Sequence, residues 1–564
     1  MFKILKINSI LETSERIKFI FITIEMFLIG LFEVLTISSI LPILYLFFNS
    51  SSIFQGNLSF FNNYLHLFKF DNIFYFLVIF TLIFIIKNIL IYFFNVSVVG
   101  TMEKVSMRIS NTLFKKHLEA NYSFHLKKSS KDLFYYNTEI IGGFNETLIN
   151  LIIITSELIT LIFLSLLLVI FTGNSLILTI LFLSPIFIFF VLFFKKRSFI
   201  LGKSYQDLEN KRVKIILESF NSIKEIIVFK KINFFLEKFF LLNLNRTFVR
   251  IKQRAFSALP RILIETFFLF SIFLLIYILH SKNYSIKDIF AILALYGITF
   301  LRLMPSFSKI LNSFQLLTFY SPAVDSLHTE LRFAKKDFNN NFSLNSKAKF
   351  FKSKNYLISF NKVNFKYPEY NEYILKNLNF KIYRNEFLGI YGDTGAGKTT
   401  ILNLILKLLN PTSGSIIRNY NNLTFVPQFP YILDGTLKEN IAFGYSNKEI
   451  SEKLIKEVLE LSQLKSFVTK LKKGILTNVN EHGSRLSGGQ LQRLSIARAL
   501  YSNGDIIVMD EITNSLDKKT ENMVIQNLSR IKNKCTIVLV THNLNILKDC
   551  DRVFKLEKKK LLKI

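Results

Sequence analysis

The feature that most constrains this chain is a series of apolar runs, each long enough to cross the ~30 Å hydrocarbon layer of a bilayer as a helix. They lie near residues 19–48, 73–99, 147–171, 175–194, 258–280 and 288–312. Segments such as Leu158–Phe171 and Leu176–Phe194 are apolar on every face, whereas a helix on a soluble core keeps one wet side. The pattern predicts an α-helical membrane domain of six transmembrane helices over residues 1–320. The first run has no small-residue cleavage site and follows a segment containing Glu12 and Glu15, so it reads as a retained span and not a removable signal peptide.

Charge then orients the spans. The chain carries 71 Lys and Arg against 40 Asp and Glu, a formal net charge of +31. That surplus is compatible with nucleic acid, an anionic membrane surface or an anionic substrate, and the abundance of Lys, Asn, Ile and Phe also fits an AT-rich genome. Position is more informative than the sum. Residues 101–146 carry Lys104, Arg108, Lys115, Lys116, Lys127, Lys128 and Lys131, and residues 195–254 carry fifteen Lys or Arg. The alternate connections are nearly bare: 49–72 has Lys69, 172–174 none, and 281–287 has Lys282 and Lys287. The positive-inside rule therefore puts both termini and the two long loops in the cytoplasm. Each long loop has helical periodicity and an amphipathic patch, around Phe124–Phe134 and Glu218–Phe229, which reads as a coupling element. Cys535 and Cys550 stand apart from any Cys or His cluster, which argues against a disulfide framework or zinc site and for a reducing compartment.

Beyond Pro322 the composition shifts. Residues 321–355 read as a linker, polar and rich in Asn, Lys and Ser from 334 onward, and 356–564 as a second, α/β domain. There the strand-like Leu388–Tyr391 runs into Gly392, Asp393, Thr394, Gly395, Ala396, Gly397, Lys398, Thr399 and Thr400, followed by a helical segment Ile401–Leu409. Strand, glycine-rich loop, Lys-Thr and helix is the order a phosphate cradle requires, because backbone N–H groups and the helix N-terminus face the anion. Lys398 is placed for the β- and γ-phosphates of ATP and Thr399 for Mg²⁺. A second apolar strand, Ile506–Met509, ends in Asp510 and Glu511. A carboxylate at the end of a buried strand can hold Mg²⁺, and the next can polarise an attacking water.

Between these motifs lies Leu486, Ser487, Gly488, Gly489 and Gln490, heading a helix over Leu491–Leu500. With that pentapeptide the chain resembles the ATP-binding cassette (ABC) transporters, over essentially its whole length. The resemblance implies that this signature closes over ATP held by a second chain, so that a homodimer forms the working pair of sites. It also implies roles for Tyr367 as the adenine-stacking aromatic and Gln428 as a contact to Mg²⁺ or water. Asp517 would lie on the loop between sites, and His542, after the strand Thr536–Val540, would assist Glu511 as the base. The segments Gly435–Gly444 and Thr477–Gly483 resemble those of exporters with six fused spans, with Asn480 and Asn514 unusual at their positions.

Cargo is addressed by charges inside the spans, which are expensive in lipid and default to functional suspicion. They include Glu25, Glu33, Lys87, Glu157, Arg261, Glu265 and Arg302. Lys87, Arg261, Arg302 and Lys309 could line a basic cavity for a phosphate-bearing substrate, while Arg261 and Glu265, four apart, equally suit a simple ion pair. The segments Leu259–Glu265 and Leu301–Ser306 are similar to those of the bacterial flippase of lipid-linked oligosaccharides for protein N-glycosylation. That resemblance implies flipping of a polyprenyl-pyrophosphate-linked oligosaccharide, an anionic lipid-linked substrate, across the bacterial inner membrane. A general exporter of lipids, drugs or peptides would use the same motifs. A soluble cassette protein acting on nucleic acid is opposed by the spans, so no nucleic-acid partner is expected.

Overall fold

The computed structural model describes residues 2–38, 73–172, 175–281, 286–338, 355–368, 370–479, 486–512 and 516–564. Two units emerge, residues 1–120 with 124–342, and residues 343–564 with the short segment 121–123.

The first unit is helical. A short helix α1 (Phe2–Ile10) precedes α2 (Thr13–Ser38) and α3 (Ile73–Leu118). Two one-turn-and-a-half helices follow, α4 (Tyr122–Lys127) and α5 (Ser130–Tyr135), then a π-helical turn at Tyr136–Ile140 and α6 (Ile141–Thr172). The unit continues with α7 (Ser175–Asn221), α8 (Ile223–Val228), α9 (Ile232–Ser281) and α10 (Ile286–Phe338). The apolar runs predicted to span lie in α2, α3, α6, α7, α9 and α10; the end of the first, 39–48, lies outside the described residues. Among the described residues, four stretches are long and apolar enough to cross a membrane: Thr13–Thr36, Val78–Leu118, Ser130–Leu166 and Ile232–Ser281. Many side chains of the apolar parts of α7 and α10 are not described.

Helical spacing sets what these helices bury. Met102, Val105, Ile109 and Leu113 of α3 recur at three- and four-residue intervals and pack with Phe144, Leu148 and Ile152 of α6 and with Ala323, Val324 and Leu327 of α10. One glycine sets a close crossing: a Cβ on Gly202 of α7 would lie 1.8 Å from the Phe319 carbonyl oxygen of α10, so any larger residue drives those helices apart. At the N-terminus, Lys6 pairs with Asp325 at 2.5 Å, and Arg108 donates to Glu15 at 2.6 and 2.7 Å and to the Ile10 carbonyl at 3.1 Å.

The sixth long helix corrects the expected domain boundary. Residues 321–338 continue α10, so the segment expected as linker starts as helix; 339–354 lie outside the described residues. Pro322 forfeits one backbone hydrogen bond, but buried Ala323, Val324, Leu327 and Glu330 carry the helical spacing past it. Composition signalled a break where packing kept the helix.

The second unit is built on sheets. β1 (Tyr356–Phe365), β2 (Leu375–Tyr383) and β4 (Ser413–Arg418) form an antiparallel sheet in the order β2-β1-β4. A six-stranded sheet runs β11-β10-β3-β9-β8-β5, with β3 (Phe387–Tyr391), β5 (Leu423–Val426), β8 (Ile506–Asp510), β9 (Thr536–Thr541) and β10 (Arg552–Glu557) parallel. β11 (Lys560–Lys563) closes the edge antiparallel to β10. The parallel strands read as nearly unbroken apolar runs because both faces are covered. Helix α11 (Lys398–Ile405) starts at the phosphate loop; it stops before the expected Leu409 because Lys407 turns into the left-handed region, φ 61°. Helix α12 (Leu437–Ile441) carries a capping box between Thr436 and Glu439. Further helices are α13 (Glu452–Leu461), α14 (Lys465–Val468), α15 (Gly488–Tyr501) and α16 (Lys518–Ile531). The two exporter-like segments of the sequence meet: β6 (Gly435–Thr436) pairs antiparallel with β7 (Asn478–Val479). Asn480 and Asn514 lie outside the described residues.

Candidate nucleotide site

Strand register assembles this site. Tyr391 at the end of β3 is opposite Thr541 of β9, and Asp510 at the end of β8 is opposite Val540. Val426 at the end of β5 is opposite Met509. Four neighbouring strands therefore release the phosphate loop, His542, Asp510-Glu511 and Gln428 at one carboxyl edge, where ligands of open parallel sheets bind.

The loop has the backbone a phosphate cradle needs. Gly395 (φ 81°) and Gly397 (φ 105°) sit where an L side chain is strained, and Gly397 is the N-cap of α11. A Cβ on Gly392 would lie 2.9 Å from the Leu556 carbonyl oxygen. Lys398 is buried; its ammonium donates to the carbonyl oxygens of Gly392 at 2.7 Å and Asp393 at 3.2 Å. Thr400 is buried behind the loop, and the Ala396 amide closes a turn on the Asp393 carbonyl at 3.1 Å. Thr394 and Thr399 remain exposed.

Glu511 is the hub. Its Oε2 accepts from Gln428 Nε2 at 2.8 Å, its Oε1 lies 3.2 Å from His542 Nδ1, and Lys398 Nζ stands 3.6 Å from Oε1. Its backbone is in the left-handed region, φ 47°, unusual for a glutamate, with the N–H held by the Val540 carbonyl at 2.8 Å. Burial, and next the adjacent Glu511 carboxylate, push the Asp510 carboxyl up to about 6 against the opposing pull of Lys398. The sequence singled out Lys398, Gln428, Asp510, Glu511 and His542 separately. It carried no signal for the bonds among them.

Tyr367 rests edge-on against Phe365, ring centroids 5.0 Å apart, and is half-buried beside the cassette's first sheet. The signature heads α15, which begins three residues earlier than expected: Ser487 is its N-cap, receiving the Gln490 amide while Gln490 Oε1 receives the Ser487 amide at 2.9 Å. Leu486 packs against the core while Gly488 stays exposed and Gly489 is half-buried. Two residues of this helix that the sequence did not single out brace it: Gln492 donates to the Pro427 carbonyl at 3.2 Å, beside Gln428, and Arg493 to the Gln463 carbonyl at 2.8 Å. Asp517 caps α16 by accepting the Thr520 amide at 3.1 Å, and hydrogen bonding from the Thr520 side chain and then its amide holds the carboxyl below the usual range.

The residues present fit a magnesium nucleotide. A glycine cradle at a helix N-terminus suits phosphate, and the hydroxyl of Thr399, the amide of Gln428 and the raised carboxyl of Asp510 are the hard oxygen donors Mg²⁺ prefers. Among the described residues, no group of three or more His, Cys, Asp or Glu side chains is placed to hold a transition metal.

Three of the four basic groups singled out in the membrane unit have carboxylate partners, Arg261 with the Glu265 that its spacing suggested. Lys87 is buried against Glu33 at 3.2 Å, Arg261 pairs with Glu265 at 2.9 Å, and Lys309 pairs with Glu157 at 2.7 Å. Each pair lowers the expense of a charge within lipid. Arg302 lies in α10, its side chain outside the described residues. A buried cluster that the sequence did not reveal joins the first long loop to α10. Glu330 holds His117 at 3.1 Å and Lys128 more closely, while His117 stacks on Phe124 of α4 and contacts Asn137 at 3.1 Å.

A family model for the ABC transporter transmembrane region matches residues 28–303, and the ABC transporter cassette model matches residues 375–514. The chain thus joins regions matching the membrane region and the ATP-binding cassette of ABC transporters in one polypeptide. The fold is similar to that of a solved bacterial Atm1-family ABC exporter with ATP bound, at TM-score 0.74 and 17% identity over 98% of this chain and 95% of the other. Among curated relatives, a protein described as an export ATP-binding/permease protein of Rickettsia conorii is 35% identical over 214 residues, 36% of this chain and 37% of the relative. The ATP-dependent lipid A-core flippase of Bordetella avium is 32% identical over 212 residues, 36% of each. The chain spans little more than a third of the length of these relatives.

Proposed function

We propose that this chain is one half of an ATP-driven exporter, working as a homodimer in a bacterial inner membrane with both termini and the cassette cytoplasmic. The observation that carries the reading is the convergence of Lys398, Gln428 and His542 on Glu511, in a chain that also has membrane-spanning helices. Glu511 is the base: its carboxylate, held from three sides, accepts the proton of the water that attacks the γ-phosphate of ATP. His542 orients that carboxylate, and Lys398 leaves it to bind the phosphates. Tyr367 stacks on the adenine. Thr399, Gln428 and Asp510 hold Mg²⁺, which supplies positive charge to the phosphates. Leu486–Gln490 covers the ATP of the partner copy, and Asp517 lies between the two sites. Residues 124–134 and 218–229 carry the closing motion to the helices.

The cargo we infer is a polyprenyl-pyrophosphate-linked oligosaccharide or a related glycolipid. Support comes from the likeness of Leu259–Glu265 and Leu301–Ser306 to the oligosaccharide flippase, and from a cassette relative that is itself a lipid A-core flippase. A polar stripe on α10 adds to it. Among the described residues, Ser308 Oγ, Asn312 Oδ1 and Gln315 Oε1 are buried without hydrogen-bond partners and share one helix face, a set of acceptors suited to sugar hydroxyls. Lys309, beside them, remains mostly exposed despite its bond to Glu157 and, with Arg302, Arg261 and Lys87, is a candidate contact for pyrophosphate. Purified protein in liposomes containing such lipids tests the reading: ATP-dependent exposure of the glycan on the opposite leaflet is expected. Unstimulated ATP hydrolysis together with no glycan movement overturns the cargo assignment.

A further inference from the structure

Among the described residues of the membrane unit, one group of cations lies on two adjacent helix segments that carry no acid. On α7, Lys195, Lys196 and Arg197 follow directly on exposed apolar Ile188, Phe189, Leu192 and Phe193. Two contacts fix the register of α9 against α7. Phe194 meets Phe256 at 5.0 Å between ring centroids, and Arg246 and Arg250 lie over the Tyr205 ring at 5.3 and 5.7 Å. The helices therefore run antiparallel, and Lys252 and Arg254 of α9 stand level with Lys195–Arg197. All five side chains are exposed. At 1.5 Å rise per residue they form a belt about 6 Å tall.

Neighbouring cations show by contrast what is unusual here. Deeper in the loop, Arg212 and Arg246 share Glu209, and further toward the apolar segment Arg261 has Glu265. Between these levels the sequence places no acid: α7 has none from Lys195 to Gln206, and α9 none from Lys238 to Ile264. Arg197 lies over the face of Phe193, 4.0 Å from its centroid. The unanswered charge thus sits where an exposed apolar helix surface ends. That is the depth of lipid headgroups, and guanidinium and ammonium groups there bind phosphate oxygens.

We propose that Lys195, Lys196, Arg197, Lys252 and Arg254 form a headgroup site for an anionic glycerophospholipid of the cytoplasmic leaflet. The site rests on the membrane orientation given under the proposed function but not on the identity of the cargo or on hydrolysis. The phosphodiester of the lipid takes the place of the missing carboxylates, its acyl chains lie along Ile188, Phe189 and Leu192, and the α7–α9 pair is held at the membrane surface.

Native mass spectrometry of the detergent-purified full chain, titrated with phosphatidylglycerol or phosphatidylcholine, tests the site. Wild type should retain phosphatidylglycerol about fivefold or more in preference to phosphatidylcholine, an advantage that weakens with added salt. The variant K195Q/K196Q/R197Q/K252Q/R254Q should bring the ratio near one. The variant K211Q/K214Q/K224Q/K230Q/K231Q, with five exposed cations of the same loop neutralised away from the belt, should keep the wild-type ratio. An unchanged preference in the belt variant, an equal loss in the control variant, or no preference in wild type overturns the proposal. Because lipid retention is read without ATP, loss of hydrolysis would count against the proposed function alone.

Discussion

Glu511 carries three contacts in one carboxyl group and a backbone angle that glutamate rarely adopts, so small changes to it should separate binding from turnover. Replacing the carboxylate by an amide in Glu511→Gln removes the proton acceptor while keeping the shape. Steady-state phosphate release should fall about 10²–10⁴-fold while ATP is still retained; hydrolysis within twofold of wild type would refute the assignment of the base. Asp510 sets a pH dependence. With its carboxyl raised to about 6, it is protonated below that value, and Mg²⁺ must then displace a proton. Mg²⁺-dependent nucleotide binding should weaken up to about tenfold per pH unit below 6 and be flat from 7 to 8, measured with a fluorescent nucleotide. The same raised carboxyl contributes stability that is full below its ordinary value and lost as pH rises through about 6. The chemistry-bearing residues were legible in the sequence because each sits in a short motif at a strand end. Their mutual contacts were not, since Gln428 and Glu511 are 83 residues apart and meet only through the β5–β8–β9 register.

Elements were legible in proportion to how local their determinants are. The strands β3, β8 and β9 matched the expected runs to within one residue, because buried parallel strands are apolar throughout. Helix α15 began earlier than the apolar pattern suggested, at a capping box instead of at the first Leu. Ser487→Ala removes that cap and should destabilise the helix by about 1 kcal/mol. Hydrogen exchange at residues 488–492 should rise, and unchanged protection there would contradict the assigned cap. The boundary at α10 was illegible because Pro322 and the polar composition mimic a break while long-range packing sustains the helix. The His117–Glu330–Lys128 cluster was hidden for a related reason: Glu330 is over 200 residues from both His117 and Lys128 in sequence. Glu330→Gln leaves His117 and Lys128 without their shared anion and should destabilise the membrane unit by about 1–3 kcal/mol, less than a fully buried pair because Lys128 is partly exposed. A lowered thermal midpoint of the solubilised protein, partly restored by adding Lys128→Gln, is the expected result; an unaltered midpoint would show the cluster to be incidental.

At the scale of the molecule, two physical demands are combined in one polypeptide. Lipid requires helices with every backbone group satisfied internally, and phosphate requires a glycine loop at the edge of a parallel sheet; each leaves a sequence signature that survives without any knowledge of tertiary contacts. The fold class was legible for that reason. Cargo was less so, because intramembrane cations announce themselves in the sequence while their carboxylate partners, such as Glu33 for Lys87, are brought to them only by packing. Each chain has one phosphate loop and one signature, so the account requires that ATP bridge two copies. The most direct test is the distance between spin labels at exposed Gln526 of the two copies in the Glu511→Gln protein, in a background lacking Cys535 and Cys550. A single shorter distance is expected when Mg²⁺ and ATP are added, with two nucleotides retained per pair of chains; an ATP-bound protein whose inter-copy distance does not change would contradict closure of the two copies over nucleotide.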